Sequence, residues 1–287
     1  MKYALDSIIF GPCGDARFLA ELAREAEQAG WDGFFIWDHV ALDWPERLVD
    51  PIVTLAAIAL STERIRFGAL VTALPRRRPW KFARETATLD HLSGGRLVVG
   101  VGIGIAQAEF ANMGEPPDFK TRAAMLDEGL DVLAGLWRGE PFSYAGEHYT
   151  VKDALFLPTP VQQPRIPVWV AGMWPNQAPL RRAARWDGVF PIAQQWDELI
   201  SPDTLREIIA TVRQRRQTDA PFDVVISGHT PGDDPAAAAD IVAPYIEAGA
   251  TWWHENLHLL RPDLAARAEA SSPAEALLWR VRQGPPR

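Results

Sequence analysis

Strand-like and helix-like segments alternate eight times along this chain, and that rhythm restricts the fold more than any single motif does. Residues 3–10 read as a first strand ending at Gly11-Pro12. Asp15 then caps a helix running to Gly30, with Phe18, Leu19, Leu22, Ala23 and Ala26 at helical spacing. Residues 33–37 form a short apolar run, as expected of a strand buried on both faces of a parallel sheet. The same reading predicts strands at 65–71, 96–102, 167–171, 188–192, 222–227 and 249–255. Helices are predicted at 50–60, 80–92, 121–137, 179–186, 202–216, 234–248 and 273–282. A turn around Ala145-Gly146 makes 140–151 a short β-hairpin insertion after the fourth helix, and prolines keep 158–167 extended. Eight strands each followed by a helix imply an α/β fold closed as a (β/α)8 TIM barrel, where an open doubly wound sheet would stop earlier. No break in composition divides the chain, so 1–287 reads as one barrel domain.

In such a barrel the C-terminal strand ends and the loops after them carry the chemistry. That rule selects Trp37, Asp38 and His39 after the second strand, and Thr72 with Arg76, Arg77 and Arg78 after the third. The fourth strand brings Gly102, Ile103 and Gly104, with Gln107 and Glu109 beyond. The fifth brings Ala171, Gly172, Met173 and Trp174, the sixth Pro191 and Gln194, the eighth Trp252, Trp253, His254 and Glu255.

Asp38 beside His39 supplies an acceptor, a donor and a group titrating near neutrality. The plainer alternative is that Asp38 caps the next turn and His39 packs beneath it. The glycines at 100, 102 and 104 fall where a backbone approaches something closely. They are not a dinucleotide fingerprint, because the third-glycine spacing is missing and no helix follows at once; a packed barrel strand needing small residues serves equally. Arginine forks suit phosphate or carboxylate, but at least two of the three arginines read as solvated loop charges. Gly172 opens a loop that enters a helix near Gln177 and Ala178, which is either a phosphate site or an ordinary turn. Trp37, Trp174, Trp252 and Trp253 together offer aromatic faces to a flat conjugated ligand, although each alone serves as core.

Composition removes several function classes. A net charge of −8 opposes non-specific nucleic-acid binding. No stretch approaches the roughly 20 apolar residues of a membrane span, and the first apolar run is too short for a signal peptide. A soluble cytoplasmic protein is the expectation. Cys13 is the sole cysteine, which excludes an internal disulfide and a cysteine metal cluster. No HExxH pair occurs, and His254 with His258 reads as two unrelated polar residues, so no metal is expected.

Several segments taken together carry a resemblance. They are AEQAGWDGFFIWDHV (26–40), RIRFGALVTALPRRRPWKFARETATLDHLSGGRLVVGVGIG (64–104) and DEGLDVLAGLWRGEPFSYAGEHYTV (127–151), with PTPVQQPRIPVWVAG (158–172) and RRAARWDG (181–188). Over nearly its whole length the chain resembles the bacterial luciferase-like family of flavin-dependent oxidoreductases. The resemblance implies a (β/α)8 barrel, a homodimer and a small-molecule substrate. Members using coenzyme F420, a deazaflavin, look closer than the longer FMN-dependent monooxygenases, which carry further insertions. It also implies that Asp38 contacts the cofactor ring, that His39 lies beside its reactive face and that Thr72 touches the ring or its side chain. Gly102, Ile103 and Gly104 would follow the tail, while Gly172, Met173, Gln177 and Ala178 would receive its phosphate. A non-proline cis peptide near Ala69-Leu70 is implied as well. Sugar-phosphate dehydrogenases of the deazaflavin group place a general-acid glutamate where this chain has Ile105; whether Glu109, four residues on, reaches the pocket stays open. The departure points away from sugar phosphates and toward reduction of an imine, enone or similar activated double bond. His39 is then the first choice for proton handling and Glu255 the second. Two alternatives remain: an FMN monooxygenase using reduced flavin and oxygen, and a non-catalytic flavin-binding barrel.

Overall fold

A computed structural model of the chain describes residues 1–195 and 198–287. Polar caps start most of its helices by accepting from backbone N–H groups that have no partner inside the helix. Asp15 caps α1 (Ala16–Gln28) at Arg17 N, 2.8 Å, and Asp50 caps α2 (Pro51–Ser61) at Val53 N, 2.8 Å. Asp118 does the same for α4 (Phe119–Trp137), which follows α3 (Pro79–Ser93). Short α5 (Gln177–Ala183) lacks a side-chain cap, while Ser201 caps α6 (Pro202–Arg213) and Asp234 caps α7 (Pro235–Ala248). α8 (Pro262–Ala270) was not anticipated from the sequence; α9 (Pro273–Arg282) follows, capped by Ser272.

The strands are β1 (Lys2–Ser7), β2 (Gly33–Ile36), β3 (Arg66–Ala69), β4 (Thr72–Ala73) and β5 (Val99–Gly102). After the antiparallel hairpin of β6 (Phe142–Ala145) and β7 (Thr150–Ala154) come β8 (Val168–Met173), β9 (Gly188–Ile192), β10 (Asp223–Gly228) and β11 (Trp252–Leu257). The parallel sheet runs β3-β2-β1-β11-β10-β9-β8-β5-β4. β3 and β4 are the two halves of one broken barrel strand: β3 pairs with β2 and β4 with β5, and a bridge from Phe67 to Leu97 stitches the seam. The result is the expected (β/α)8 TIM barrel, with the hairpin after the fourth helix. The non-proline cis peptide lies in the break, at Leu70-Val71, one residue past its implied place.

Alternation along the strands sends one set of side chains inward. Ala4, Phe35, Leu70, Val98, Trp169, Ala171, Phe190, Val225 and Trp252 fill the barrel, with Phe35 stacked on Trp169 at 5.3 Å between ring centroids. The opposite set packs under the helices, burying side chains each worth about 1.5–3 kcal/mol of transfer free energy. Asp223 accepts from the indole N–H groups of Trp169 and Trp252, each at 3.1 Å, satisfying polar atoms that would otherwise be stranded in the interior.

β11 begins at Trp252, three residues after the start expected at 249. That shift corrects the picture of a tryptophan rim. Trp252 opens the strand at the base of the barrel, and Trp253 faces the helix layer against Tyr245, 5.4 Å away. Only Trp37 and Trp174 remain at C-terminal strand ends. No helix among the described residues is long and apolar enough to cross a membrane.

Candidate active site

β2 delivers Asp38 to the end of the barrel, where its carboxylate is buried and fully engaged. Thr72 Oγ1 donates to Oδ2 at 2.7 Å, and Arg77 Nη2 donates to both oxygens at 3.0 and 2.8 Å. Arg76 Nη2 donates to Oδ1 and to the Asp38 carbonyl. The side chains of Arg76 and Arg77 are only 4% and 15% exposed, which corrects the reading of this run as solvated loop charge. The 3-10 turn Leu74–Arg76 folds the chain back onto the end of β2, so the guanidinium forks meet a buried carboxylate that neutralises them. Arg78 alone is exposed.

Arg76 also reaches the other way, donating from Nη1 to Glu109 Oε2 at 3.1 Å. Glu109 is buried on the 3-10 turn Gln107–Glu109, accepts from Val40 N at 2.6 Å, and faces His39 Nδ1 at 3.2 Å. The question left open in the sequence is answered: Glu109 reaches His39. Burial alone would raise the Glu109 carboxyl; the His39 hydrogen bond, the Arg76 charge and the Val40 N–H outweigh it and hold it below the ordinary glutamate value. An ionised carboxylate only accepts, so Nδ1 carries the ring proton and Nε2 is left for another partner. With its side chain 23% exposed, His39 has access to the mouth.

Two mouth residues were missed from the sequence. Asp6, on β1, has Ala4 of the interior cluster two residues before it, so it faces inward. Trp37 Nε1 donates to its Oδ2 at 3.4 Å, while Oδ1 is buried with no partner among the described residues. Burial raises the Asp6 carboxyl to about 7, opposed only by the Trp37 hydrogen bond. The signal was there: a single carboxylate at an inward position of an otherwise apolar run. His258, after β11, is the second, with Nδ1 buried and unpartnered among the described residues; burial, then the Arg261 charge, depress it to about 4. The Trp37 ring gathers these groups, lying 5.9 Å from His39, 6.4 Å from His258 and 6.0 Å from Phe10, centroid to centroid.

The remaining expectations divide. Gly102 and Gly104 are shaped by packing: a Cβ would sit 2.9 Å from Val71 Cγ2 or 2.4 Å from the Phe110 ring, and Gly104 has φ +75°. Ile103 between them is half-buried, and Ile105 is 69% exposed. Gly172 is hemmed in by Pro179, whose Cβ would lie 2.0 Å from an added Cβ, so the glycine lets α5 close on β8. Met173 ends β8; Gln177 and Ala178 open α5, exposed, with Arg215 Nη2 donating to Gln177 Oε1 at 2.9 Å.

Glu255 is corrected. It faces the helix layer and accepts from Thr230 N, Thr230 Oγ1, Trp253 Nε1, Arg261 Nη1 and Arg280 Nε. A carboxylate so enclosed, on the outer face of its strand, has nothing to offer a ligand at the mouth. His254, on the inner face, is deep among aromatic rings, and burial depresses it to about 3.

Known proteins bear on this arrangement. The family described as luciferase-like monooxygenase matches residues 8–283. An F420-dependent glucose-6-phosphate dehydrogenase of Rhodococcus erythropolis is 33% identical over 248 residues, covering 84% of this chain and 71% of that one. Among solved structures, the coenzyme F420-dependent tetrahydromethanopterin reductase of Methanopyrus kandleri superposes with a TM-score of 0.76 at 18% identity, over 99% of this chain and 98% of its own. The FMN-bound oxygenating constituent of 3,6-diketocamphane monooxygenase of Pseudomonas putida gives 0.75 at 16%, over 100% and 99%. The fold agrees in both. The chain therefore belongs to the luciferase-like monooxygenase family of flavin- and deazaflavin-dependent oxidoreductases.

Proposed function

We propose that this chain is a coenzyme F420-dependent oxidoreductase that moves a hydride between the deazaflavin and a small neutral organic substrate, reducing an activated C=C or C=N bond. One observation carries the reading: His39 stands at the barrel mouth with Nδ1 held by a buried, ionised Glu109 and Nε2 without a partner among the described residues. That dyad suits proton transfer beside a hydride acceptor.

The pocket's donor set fits a flavin-type ring. Trp37 offers an aromatic face, and Asp6 Oδ1 and His258 Nδ1 around it are polar atoms without a partner among the described residues. The bound deazaflavin supplies the hydride chemistry; the chain's residues position it, shed water and handle the proton. His39 takes up a solvent proton at Nε2 and relays it toward the substrate, while Glu109 holds the Nδ1 proton and balances the charge of the imidazolium formed in between. Asp38, saturated by Thr72, Arg76 and Arg77, holds the His39 loop in place and presents backbone to the ring. Gly102, Ile103 and Gly104 would flank the cofactor's chain. Gly172, Met173, Gln177 and Ala178 would receive its phosphate, with Arg215 supplying charge beside Gln177. Ile105, exposed and apolar just beyond the fourth-strand glycines, favours a neutral substrate over the sugar phosphate named for the Rhodococcus relative.

The same reading includes a cytoplasmic homodimer; Val53 and Leu60 of α2, 65% and 71% exposed, give a second copy apolar surface to cover. Size-exclusion chromatography with light scattering reads the oligomer, and a monomer overturns that part. Titration of the purified protein with F420 and with FMN, followed by absorbance, reads the cofactor. Tight FMN binding without F420 binding sinks the preferred reading in favour of an FMN monooxygenase.

A further inference from the structure

Among the described residues, most buried carboxylates are tied to arginine: Asp38 to Arg76 and Arg77, Glu109 to Arg76, Glu255 to Arg261 and Arg280. Asp223 answers two indole N–H groups. Asp6 is different. It is 5% exposed, forms no ion pair among the described residues and keeps one oxygen without a partner there. An isolated carboxylate in such surroundings is costly to bury, so the side chain is kept protonated, and a protonated carboxyl is a donor. Its register partners are Phe35 on β2 and Asn256 on β11. Beneath it, His254 of β11 is uncharged; across the Trp37 ring lie His39 and His258. Among the described residues, the only side chain bonded to it is Trp37.

We propose that Asp6 is a second acid of the pocket, donating its carboxyl proton from the inner wall of the barrel to the substrate bound above Trp37. The inference rests on the reductase reading. With a reduced deazaflavin as hydride donor, hydride adds to one atom of the substrate double bond and the electron pair moves to the other. The Asp6 O–H bond breaks as a new bond to hydrogen forms at that second atom, leaving a carboxylate that is reprotonated from solvent by way of His39, so that one hydride and one proton are added in all. A neutral buried carboxyl is suited to this because it donates at neutral pH without a counter-ion to hold it back.

The experiment compares wild type with Asp6→Asn, which keeps an oxygen for the Trp37 N–H and removes the titrating proton. Carbon-13 NMR of labelled aspartate in the cofactor-free protein reads the carboxyl directly, and F420 affinity is measured for both proteins. Turnover is then followed across pH with reduced F420 and 2-cyclohexenone, or a cyclic imine, as probes. Expected are an Asp6 midpoint near 7, F420 binding retained, and a turnover loss of roughly a hundredfold in the variant at pH 7 and saturating F420. The wild-type rate should fall on the alkaline side of that midpoint, and the variant should lose that limb. A carboxyl titrating near 4, or a variant with the wild-type rate and pH profile, overturns the acid role while the reductase reading stands. Wild type that binds F420 but reduces neither probe overturns the reductase reading and the acid role together.

Discussion

His39 Nδ1 and Glu109 Oε1 lie 3.2 Å apart at the barrel mouth, joined across 70 residues of chain. Glu109→Gln keeps the shape and loses the charge that sets the imidazole. Turnover should fall roughly tenfold to a hundredfold with cofactor affinity little changed. Because the folded-state Glu109 carboxyl is depressed, its stabilisation is present above the ordinary glutamate range and is lost as pH falls through the folded value. The melting-temperature gap between wild type and variant should therefore narrow in acid. Equal turnover in the two proteins would remove Glu109 from the mechanism.

Glu255→Gln should act on stability alone. It strands Arg280 and takes from Arg261 one of its two carboxylates, the other being Asp263. Breaking such a buried pair costs about 3–5 kcal/mol. Urea unfolding should report that loss while kcat per folded molecule stays at the wild-type level; a large fall in kcat at unchanged stability would return Glu255 to the chemistry.

Asp6→Asn should stabilise the protein at alkaline pH. The folded carboxyl sits at about 7 against an ordinary 3.8, so the wild-type chain loses stability as pH climbs from about 4 to about 7. A displacement of that size bounds the effect at roughly 4 kcal/mol. The variant should melt several degrees higher at pH 8 and nearly level with wild type at pH 4. A gap that does not change with pH contradicts the buried neutral acid.

Gly172→Ala should disturb both the scaffold and the tail site. The added Cβ would meet Pro179 Cβ at 2.0 Å, forcing α5 off the end of β8. A loss of about 1–3 kcal/mol is expected, together with weaker F420 binding in equilibrium titration. Unchanged affinity at reduced stability would place the phosphate elsewhere.

The period of the apolar residues and the capping aspartates were enough to specify the barrel and the rim at which His39, Thr72, Gly104 and Gly172 stand, because both are local properties of the chain. β11 was placed three residues early, and that error alone sent Trp252, Trp253 and Glu255 to the wrong places. A run such as 249–255 is apolar at both ends, and only pairing with β1 and β10 sets its start. Long-range polar partners were hidden for a similar reason. At least two of the three arginines read as solvated charge, whereas folding brings Arg76 and Arg77 to Asp38, and Glu109 had no visible claim on His39. Asp6 was one polar letter in an apolar strand. Sequence thus determined the alternation that closes the barrel, since periodicity acts between near neighbours. Tertiary structure alone decided which buried charges meet and which carboxyl stands outside every ion pair among the described residues, since burial and pairing depend on side chains far apart in the chain.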